Sequence, residues 1–307
     1  MSVVAPELPT RSRSATRDAV AGTLRGRYLR DRAMVGLLML STVVVLVPLV
    51  IIIVYVFTNG VSALDWNFFT EDLGSPARAQ QGRATGLGHS ILGTIVVDGM
   101  ALLLAVPIGI GAGIMLSEYP DHPLNPILRV LNDTLNGMPA ILKGLLAFAL
   151  IVKPTGAFSG FSGAVALAFV MLPIMARATE GVLRIIPWSI REAGLALGLP
   201  RWRVVLSTVL PAARVGVVTG VLIAFARAAG EAAPLLFTSF GNNYYPSNWW
   251  QWVTGPVDTL PQRLYSLAIS PYREWHAMGW AAGIVLLSLV ITTFLVARIA
   301  TRQRFDS

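Results

Sequence analysis

Two charged side chains of opposite sign, Arg227 and Glu231, lie inside an otherwise apolar stretch of this 307-residue chain. Each isolated charge costs about 2.5–3.5 kcal/mol at the centre of a membrane-spanning helix. Their spacing of four residues predicts that both side chains share one helix face, where each partly neutralises the other. The pair therefore indicates either a buried ion pair that fixes the orientation of a helix or a polar site for an ion at membrane depth.

The chemistry of this pair suits an oxyanion. Arginine presents a planar fork of donors that matches phosphate oxygens, and it stays protonated in a dry site. A neighbouring carboxylate weakens the binding of the anion, so that it can leave, and accepts a hydrogen bond from a protonated phosphate oxygen. Sulfate carries no such proton at neutral pH, so the unpaired acceptor would repel it. Arg227 and Glu231 therefore favour phosphate over sulfate.

A polar segment rich in arginine, REAGLALGLPRWRVVLSTVLP, lies between the fourth and fifth apolar stretches. We expect a helix over residues 190–197 that ends at Gly198, because glycine suits the end of a helix and Pro200 cannot continue it. A second helix is expected over residues 201–209, ending near Pro211. Apolar side chains beside arginines would let the segment dock into a groove of a partner or lie on anionic lipid. The residue pattern alone leaves both interpretations open.

The composition places these features in a membrane protein. Hydrophobic residues make up 54% of the chain and charged residues only 13%, which is outside the usual range of soluble domains. We predict an all-α polytopic membrane protein with six transmembrane helices, each long enough to cross a hydrocarbon layer of about 30 Å. The predicted spans are residues 34–57, 90–116, 127–152, 161–178, 215–237 and 276–300.

The predicted domain organisation is a disordered cytoplasmic tail over residues 1–33, followed by one transmembrane domain over residues 34–307. The tail is rich in arginine and has too few apolar residues for a core. The first span is expected to be retained, because it begins too far along the chain for a cleaved signal. Within the transmembrane domain, we expect the core over residues 86–300 and a cytoplasmic coupling loop over residues 179–213.

A Gly-Met-Pro sequence at residues 137–139 interrupts the third predicted span, which also carries Asp133 and Lys143. A broken helix persists in a bilayer only where protein or water covers the freed backbone groups. We therefore expect this span to face a cavity, with Asp133 as a candidate for a polar path or a gate. The roles of Lys143 and of Asp98 in the second span are left open.

The distribution of basic residues predicts the orientation. Most Lys and Arg residues outside the spans fall in the tail, in residues 177–214 and at the C-terminus, so both termini are expected in the cytoplasm.

The net charge of +8 does not indicate nucleic-acid binding, because the arginines are scattered around apolar spans. The chain has no cysteine, its histidines lack metal-site spacing, and it has no phosphate-binding GxxxxGK[ST] loop. We therefore expect no catalysis, no metal and no cofactor in this chain itself.

Part of the polar segment resembles the EAA loop of ABC importer permeases. The matching positions are Glu192, Ala193, Gly194, Gly198, Leu210 and Pro211. Gly194 stands where that pattern has its second alanine, and Thr208 where it has isoleucine. The resemblance implies the type I ABC importer permease fold, and a loop that docks into a cleft on a nucleotide-binding subunit, where ATP and Mg²⁺ would be bound.

Longer stretches over roughly residues 86–240 resemble the PstA-type permeases of phosphate-specific ABC importers, among them RATEGVLRIIP, LNDTLNGMPAILKGL and GVVTGVLIAFARAAGEAAPLLF. The resemblance implies that Arg227 and Glu231 lie on a phosphate path. Arg177 and Glu180 also match the family, and they would form an inner gate or extend to the membrane interface.

The same resemblance implies a heteromeric complex in a bacterial plasma (inner) membrane. Its other members would be a second, related permease, two copies of an ABC ATPase and an extracytoplasmic phosphate-binding protein. Two alternatives have different requirements. A permease for another oxyanion, such as molybdate or sulfate, would keep the loop without needing Glu231. A membrane sensor or channel would need no ATPase contact.

Overall fold

The computed structural model of the chain describes residues 11–75, 77–78, 81 and 83–301. The chain divides into two compact units, one that ends at Tyr55 and one that begins at Val56. Residues 1–10 of the predicted tail, and residues 302–307, lie outside the described part of the chain.

Helices form nearly all of the regular structure in the described residues, where the only bridge between extended segments joins Phe240 and Val257. This confirms the predicted all-α class. In chain order the helices are α1 (Arg11–Gly60), α2 (Trp66–Thr70), α3 (Gly88–Glu118), α4 (Asn125–Gly137), α5 (Ala140–Thr155), α6 (Gly160–Ile185), α7 (Trp188–Ala196), α8 (Arg201–Ala212), α9 (Arg214–Ala229), α10 (Trp249–Thr254), α11 (Leu260–Ala268) and α12 (Arg273–Thr301). Wide π-helical turns occur within α5 at Phe148–Val152 and within α8 at Val205–Val209.

The first helix differs from the sequence prediction. Helix α1 begins at Arg11, so residues 11–33 are helical where a disordered tail was expected. The segment is rich in arginine and alanine, which both favour helix, and its backbone hydrogen bonds continue those of the apolar span that follows. The low apolar content of the segment argues against a core, but it does not oppose extension of an existing helix.

The described residues contain four helices that are each long and apolar enough to cross a membrane, and up to six spans if each bent pair counts as one. The bent pairs are α4 with α5, at an angle of 116°, and α8 with α9, at 76°. The predicted break at residues 137–139 is therefore confirmed, since α4 ends at Gly137 and α5 begins at Ala140.

Two predicted boundaries were wrong. Helix α6 continues past Ala178 to Ile185, so the first residues of the predicted coupling loop 179–213 are helical. Helix α9 ends at Ala229, eight residues before the predicted end of the fifth span at Phe237. The chain cannot continue that helix, because Pro234 has no N–H to donate to residue 230 and its ring would clash with that residue.

Helix α6 occupies the centre of the second unit and packs against both α3 and α9. Gly109 and Gly113 of α3 allow the close approach to α6, since a Cβ at Gly113 would lie 2.5 Å from Cβ of Thr179. The glycine-rich end of the second predicted span therefore packs closely against α6. Alanine, valine and methionine side chains from α3, α6 and α9 fill the core between them. The packing leaves charged residues at the end of α6 and at the broken helices.

The two ends of this bundle differ in chemistry. We call the end that carries residues 186–200 the basic end and the end that carries residues 238–259 the aromatic end. Helix α3 runs from the aromatic end to the basic end, and α6 runs in the same direction.

Candidate functional site

The bent helix α5 and the chain segment that follows the end of α9 come together inside the second unit. Helix α5 follows the sharp bend at Met138 and Pro139, and Gly144 in α5 packs against the segment that follows α9. A Cβ at Gly144 would lie 2.6 Å from Cα of Pro234, so only glycine allows this approach. Broken helices at membrane depth occur where protein or a water-filled cavity satisfies the freed backbone groups. We call the region formed by Lys143, Gly144, Arg227, Glu231 and Pro234 the break junction.

The predicted pair is present at this junction, but in a different arrangement. Arg227 lies in the last turn of α9, whereas Glu231 lies beyond the end of the helix. The expectation that both share one face of a continuous helix was therefore wrong. Nη2 of Arg227 is 3.9 Å from Oε1 of Glu231, which is a loose ion pair. The Arg227 side chain is 62% exposed in the single chain, and that of Glu231 is 23% exposed, so most guanidinium donors remain open to another ligand.

Lys143 is a third charged group at the break junction. The residue is buried, with 5% exposure, and the charges of both Arg227 and Glu231 act on its ammonium group. The sequence predicted a break in the helix between Asp133 and Lys143, but it did not predict the angle between the two parts. For this reason the proximity of Lys143 to α9 was missed. The junction thus combines two cations with one carboxylate.

The three other predicted gate residues lie together in a second cluster, between α4 and α6. Arg177 donates to Asp133, with an Nη2–Oδ1 distance of 2.5 Å. Glu180 accepts from Arg129 at 3.0 Å and pairs with Arg184 at 2.7 Å. Arg129 and Arg184 were not predicted as members of this site, although the spacing of Glu180 and Arg184 is that of a helical ion pair.

This α4–α6 cluster surrounds a polar cavity of about 420 Å³. The cavity is lined by Leu116, Arg129, Asn132, Asp133, Arg177, Glu180, Gly181 and Arg184. Several of the paired side chains are about half exposed. Exposed ion pairs are worth only about 0.2–1 kcal/mol each, so these contacts can break and re-form at little cost in free energy.

The predicted docking segment forms a helix–turn–helix at the basic end. Helix α7 ends at Ala196, and Gly198 adopts a left-handed backbone with φ of 78°, which confirms the predicted stop. Glu192 and Ala193 are exposed, whereas Gly194 is buried against Val204 of α8. Apolar side chains also remain exposed on this surface, at Trp188, Leu195, Leu197, Trp202 and Leu206. The remaining predicted positions, Leu210 and Pro211, lie in the last turn of α8.

A buried ion pair fastens this segment to the bundle. Arg191 of α7 donates through Nε to Oε2 of Glu118 at 2.8 Å, and its Nη2 donates to Oε1 of the same carboxylate. The guanidinium also donates to the carbonyl oxygens of Leu183 and Ile186, both at 2.9 Å. The hydrogen bond with Glu118 raises the pKa of Arg191. One side chain thus joins α7 to the ends of α3 and α6, a role that the sequence did not indicate.

Replacing Gly198 by valine should lower the stability of the chain by about 1–2 kcal/mol, because a β-branched residue is strained in the left-handed conformation. A Cβ at this position would meet nothing within 4 Å, so backbone strain is the only expected effect. Thermal unfolding of the purified chain measures the loss. Gly198→Asn is the control, because asparagine tolerates this conformation better; an equal loss in both variants would contradict the explanation.

A second buried network holds the aromatic end together. Ser90 at the start of α3 donates to Oδ2 of Asp258, and Nε of Arg263 donates to the same oxygen at 2.6 Å. Burial raises the pKa of Asp258, while the adjacent Arg263 opposes the shift. His89 lies 3.1 Å from the Ser90 hydroxyl. These residue types occur in hydrolases, but the four side chains are buried and are bonded to one another, so we interpret the network as structural.

Asp98 remains isolated from these groups. It lines a mostly apolar cavity of about 500 Å³ between α3, α9 and α12, and its Oδ2 has no hydrogen-bond partner. Within the described part of the chain, no three His, Asp or Glu side chains come together in a way that could hold a metal ion.

Comparison with known proteins places these features in context. Residues 105–305 match the family described as binding-protein-dependent transport system inner membrane component. The chain is 39% identical over 243 residues to the phosphate transport system permease protein PstA of Xylella fastidiosa, covering 78% of this chain and 82% of that protein. It is 34% identical over 279 residues to the protein of the same name from Pasteurella multocida, covering 91% and 96%.

A solved structure shares the fold. A chain of the bacterial alginate ABC transporter, crystallised with a periplasmic protein bound to an alginate pentasaccharide, superposes with a TM-score of 0.61. The match covers 91% of this chain and 96% of that chain at 13% identity. At this identity the likeness concerns the fold alone.

Proposed function

Because the chain belongs to the family of binding-protein-dependent transport system inner membrane components, we propose that its break junction forms part of the path for the transported ion. The chain is a permease subunit of a phosphate ABC importer, as the sequence predicted, since PstA proteins match most of its length. The predicted importer-permease fold is likewise confirmed.

The observation that carries the proposed path is the loose pairing of Arg227 with Glu231 at the end of α9, where the following segment packs against the bent helix α5. A guanidinium held by a single contact of 3.9 Å retains donors for the oxygens of phosphate. Glu231 can accept a hydrogen bond from a protonated phosphate oxygen, and sulfate has no such proton at neutral pH. Both groups lie on a surface of the single chain where a second permease would complete the path.

We assign the α4–α6 cluster to an inner gate. Its ion pairs join α4 to α6 through Arg177 with Asp133 and through Arg129 with Glu180. Because such exposed pairs are weak, the two helices can separate during a transport cycle without a large energetic penalty. The cluster lies toward the basic end, which the distribution of Lys and Arg assigns to the cytoplasm together with both chain termini.

The docking segment then contacts the ATPase. The exposed surface of α7, with Glu192, Ala193 and Leu195, offers apolar and charged groups to a cleft on a nucleotide-binding subunit, where ATP and Mg²⁺ would be bound. Two copies of this ATPase, a related second permease and an extracytoplasmic phosphate-binding protein complete the proposed complex. Arg191 transmits movement of α7 to α3 and α6, because it belongs to α7 and donates hydrogen bonds to both other helices.

Reconstitution tests this function. In proteoliposomes containing the chain with its second permease, ATPase and binding protein, phosphate should stimulate ATP hydrolysis and accumulate in the lumen. Sulfate and molybdate should leave hydrolysis at its basal rate. Equal stimulation by sulfate would favour the other-oxyanion permease, and failure to co-purify with an ATPase would favour a sensor or channel.

A further inference from the structure

Lys143 is a mostly enclosed residue whose ammonium group has no direct partner among the described residues. The residue is 5% exposed, and its ammonium group forms no hydrogen bond or ion pair with another described residue. The ammonium nitrogen is not among the fully enclosed polar atoms that lack a partner, so it keeps contact with solvent. Because most of the residue is enclosed, the ammonium group still loses hydration without gaining a compensating charge. A lysine at this place therefore requires an explanation outside the packing of the single chain.

The surroundings of Lys143 point to an anion. The next residue, Gly144, packs directly against Pro234, which places Lys143 beside the segment that carries Glu231. The charges that act on its ammonium group are those of Arg227 and Glu231. Glu231 is already paired with Arg227, so one positive charge at the break junction stays uncompensated.

We propose that Lys143 is a second cationic ligand of the transported phosphate and binds the same ion as Arg227. This inference rests on the proposed phosphate path through the break junction. A tetrahedral oxyanion has four oxygens, and the planar guanidinium of one arginine can donate hydrogen bonds to two of them. The three donors of a lysine ammonium group can reach a third oxygen, while Glu231 accepts from a protonated one.

A purely structural ion pair between Lys143 and Glu231 is the competing explanation. It would bring the ammonium nitrogen within 4 Å of the carboxylate, and Lys143 does not form such a pair. The two explanations also differ in their effect on stability. Removing an uncompensated buried charge should leave stability unchanged or raise it, whereas removing a structural partner should lower it.

The test replaces Lys143 by methionine in the full reconstituted complex and measures phosphate uptake. We expect the maximal rate to fall about tenfold, the change produced by losing one hydrogen bond to a charged group. Because the binding protein captures phosphate from solution, the phosphate concentration that gives half-maximal uptake should stay the same.

The attraction lost with one positive charge is twice as large for a phosphate dianion as for a monoanion. The decrease in the maximal rate should therefore be larger above neutral pH than below it. Lys143→Arg should retain more activity than Lys143→Met.

Lys153 provides a matched control, since it is the other lysine of the chain and is exposed at the end of the same helix. Lys153→Met should transport phosphate like the unchanged complex. Unchanged uptake in Lys143→Met, or equal losses in its arginine and methionine variants, would overturn the role of Lys143. So would a lower melting temperature of the Lys143→Met complex. If the unchanged complex takes up no phosphate, the proposed function itself fails, which is a distinguishable result.

Discussion

Replacing Arg191 by methionine should destabilise the chain by about 3–5 kcal/mol, the loss expected when one partner of a buried ion pair is removed. The variant would leave the Glu118 carboxylate buried without its guanidinium, and it would free the carbonyl oxygens of Leu183 and Ile186. Because Arg191 joins α7 to two spanning helices, phosphate-dependent ATP hydrolysis should also fall relative to basal hydrolysis. Thermal unfolding of the purified chain and ATPase assays of the reconstituted complex measure the two effects.

The exposed arginine Arg203 at the same end of the bundle is the control for stability. Arg203→Met should change the stability of the isolated chain by less than about 0.5 kcal/mol. The double variant Arg191→Met with Glu118→Leu should recover part of the loss, because it removes both charges together. A loss below about 1 kcal/mol in Arg191→Met would show that the buried pair does not anchor α7.

Removing the guanidinium of Arg227 should reduce phosphate uptake about 10- to 150-fold. This range corresponds to about 1.5–3 kcal/mol for a hydrogen bond to a charged group. Stability should change little, because the side chain is 62% exposed and its ion pair with Glu231 is loose. Uptake of radiolabelled phosphate by proteoliposomes with Arg227→Met measures the effect, and melting of the same complex shows whether the fold is intact.

Arg214→Met is the matched control, since Arg214 begins the same helix, α9, at its opposite end and is exposed. Its uptake should equal that of the unchanged complex. Arg227→Lys should show intermediate uptake, because lysine keeps the charge but loses the planar fork. If the Arg227→Met complex takes up phosphate as fast as the Arg214→Met complex, Arg227 does not lie on the phosphate path.

The sequence predicted single features of the site better than their arrangement. The helix break at residues 137–139 and the stop at Gly198 follow from local chemistry, because proline and glycine restrict the backbone wherever they occur. The end of α9 was predicted eight residues too late, since apolar composition after Gly230 favoured a continuing span. The role of Lys143 stayed open, because its neighbours depend on the bend of 116° between α4 and α5.

Composition and local pattern by themselves determined that this is an all-α membrane protein with a polar, arginine-rich segment between two spans and charges within an apolar stretch. Those properties depend on transfer free energies and backbone preferences, which act residue by residue. Only the tertiary structure decided that the charges of Arg227 and Glu231 act on Lys143, and that Glu118 pairs with Arg191. These contacts join residues on different helices, so they depend on bend angles and on close packing at glycines such as Gly144, which no single stretch of sequence specifies.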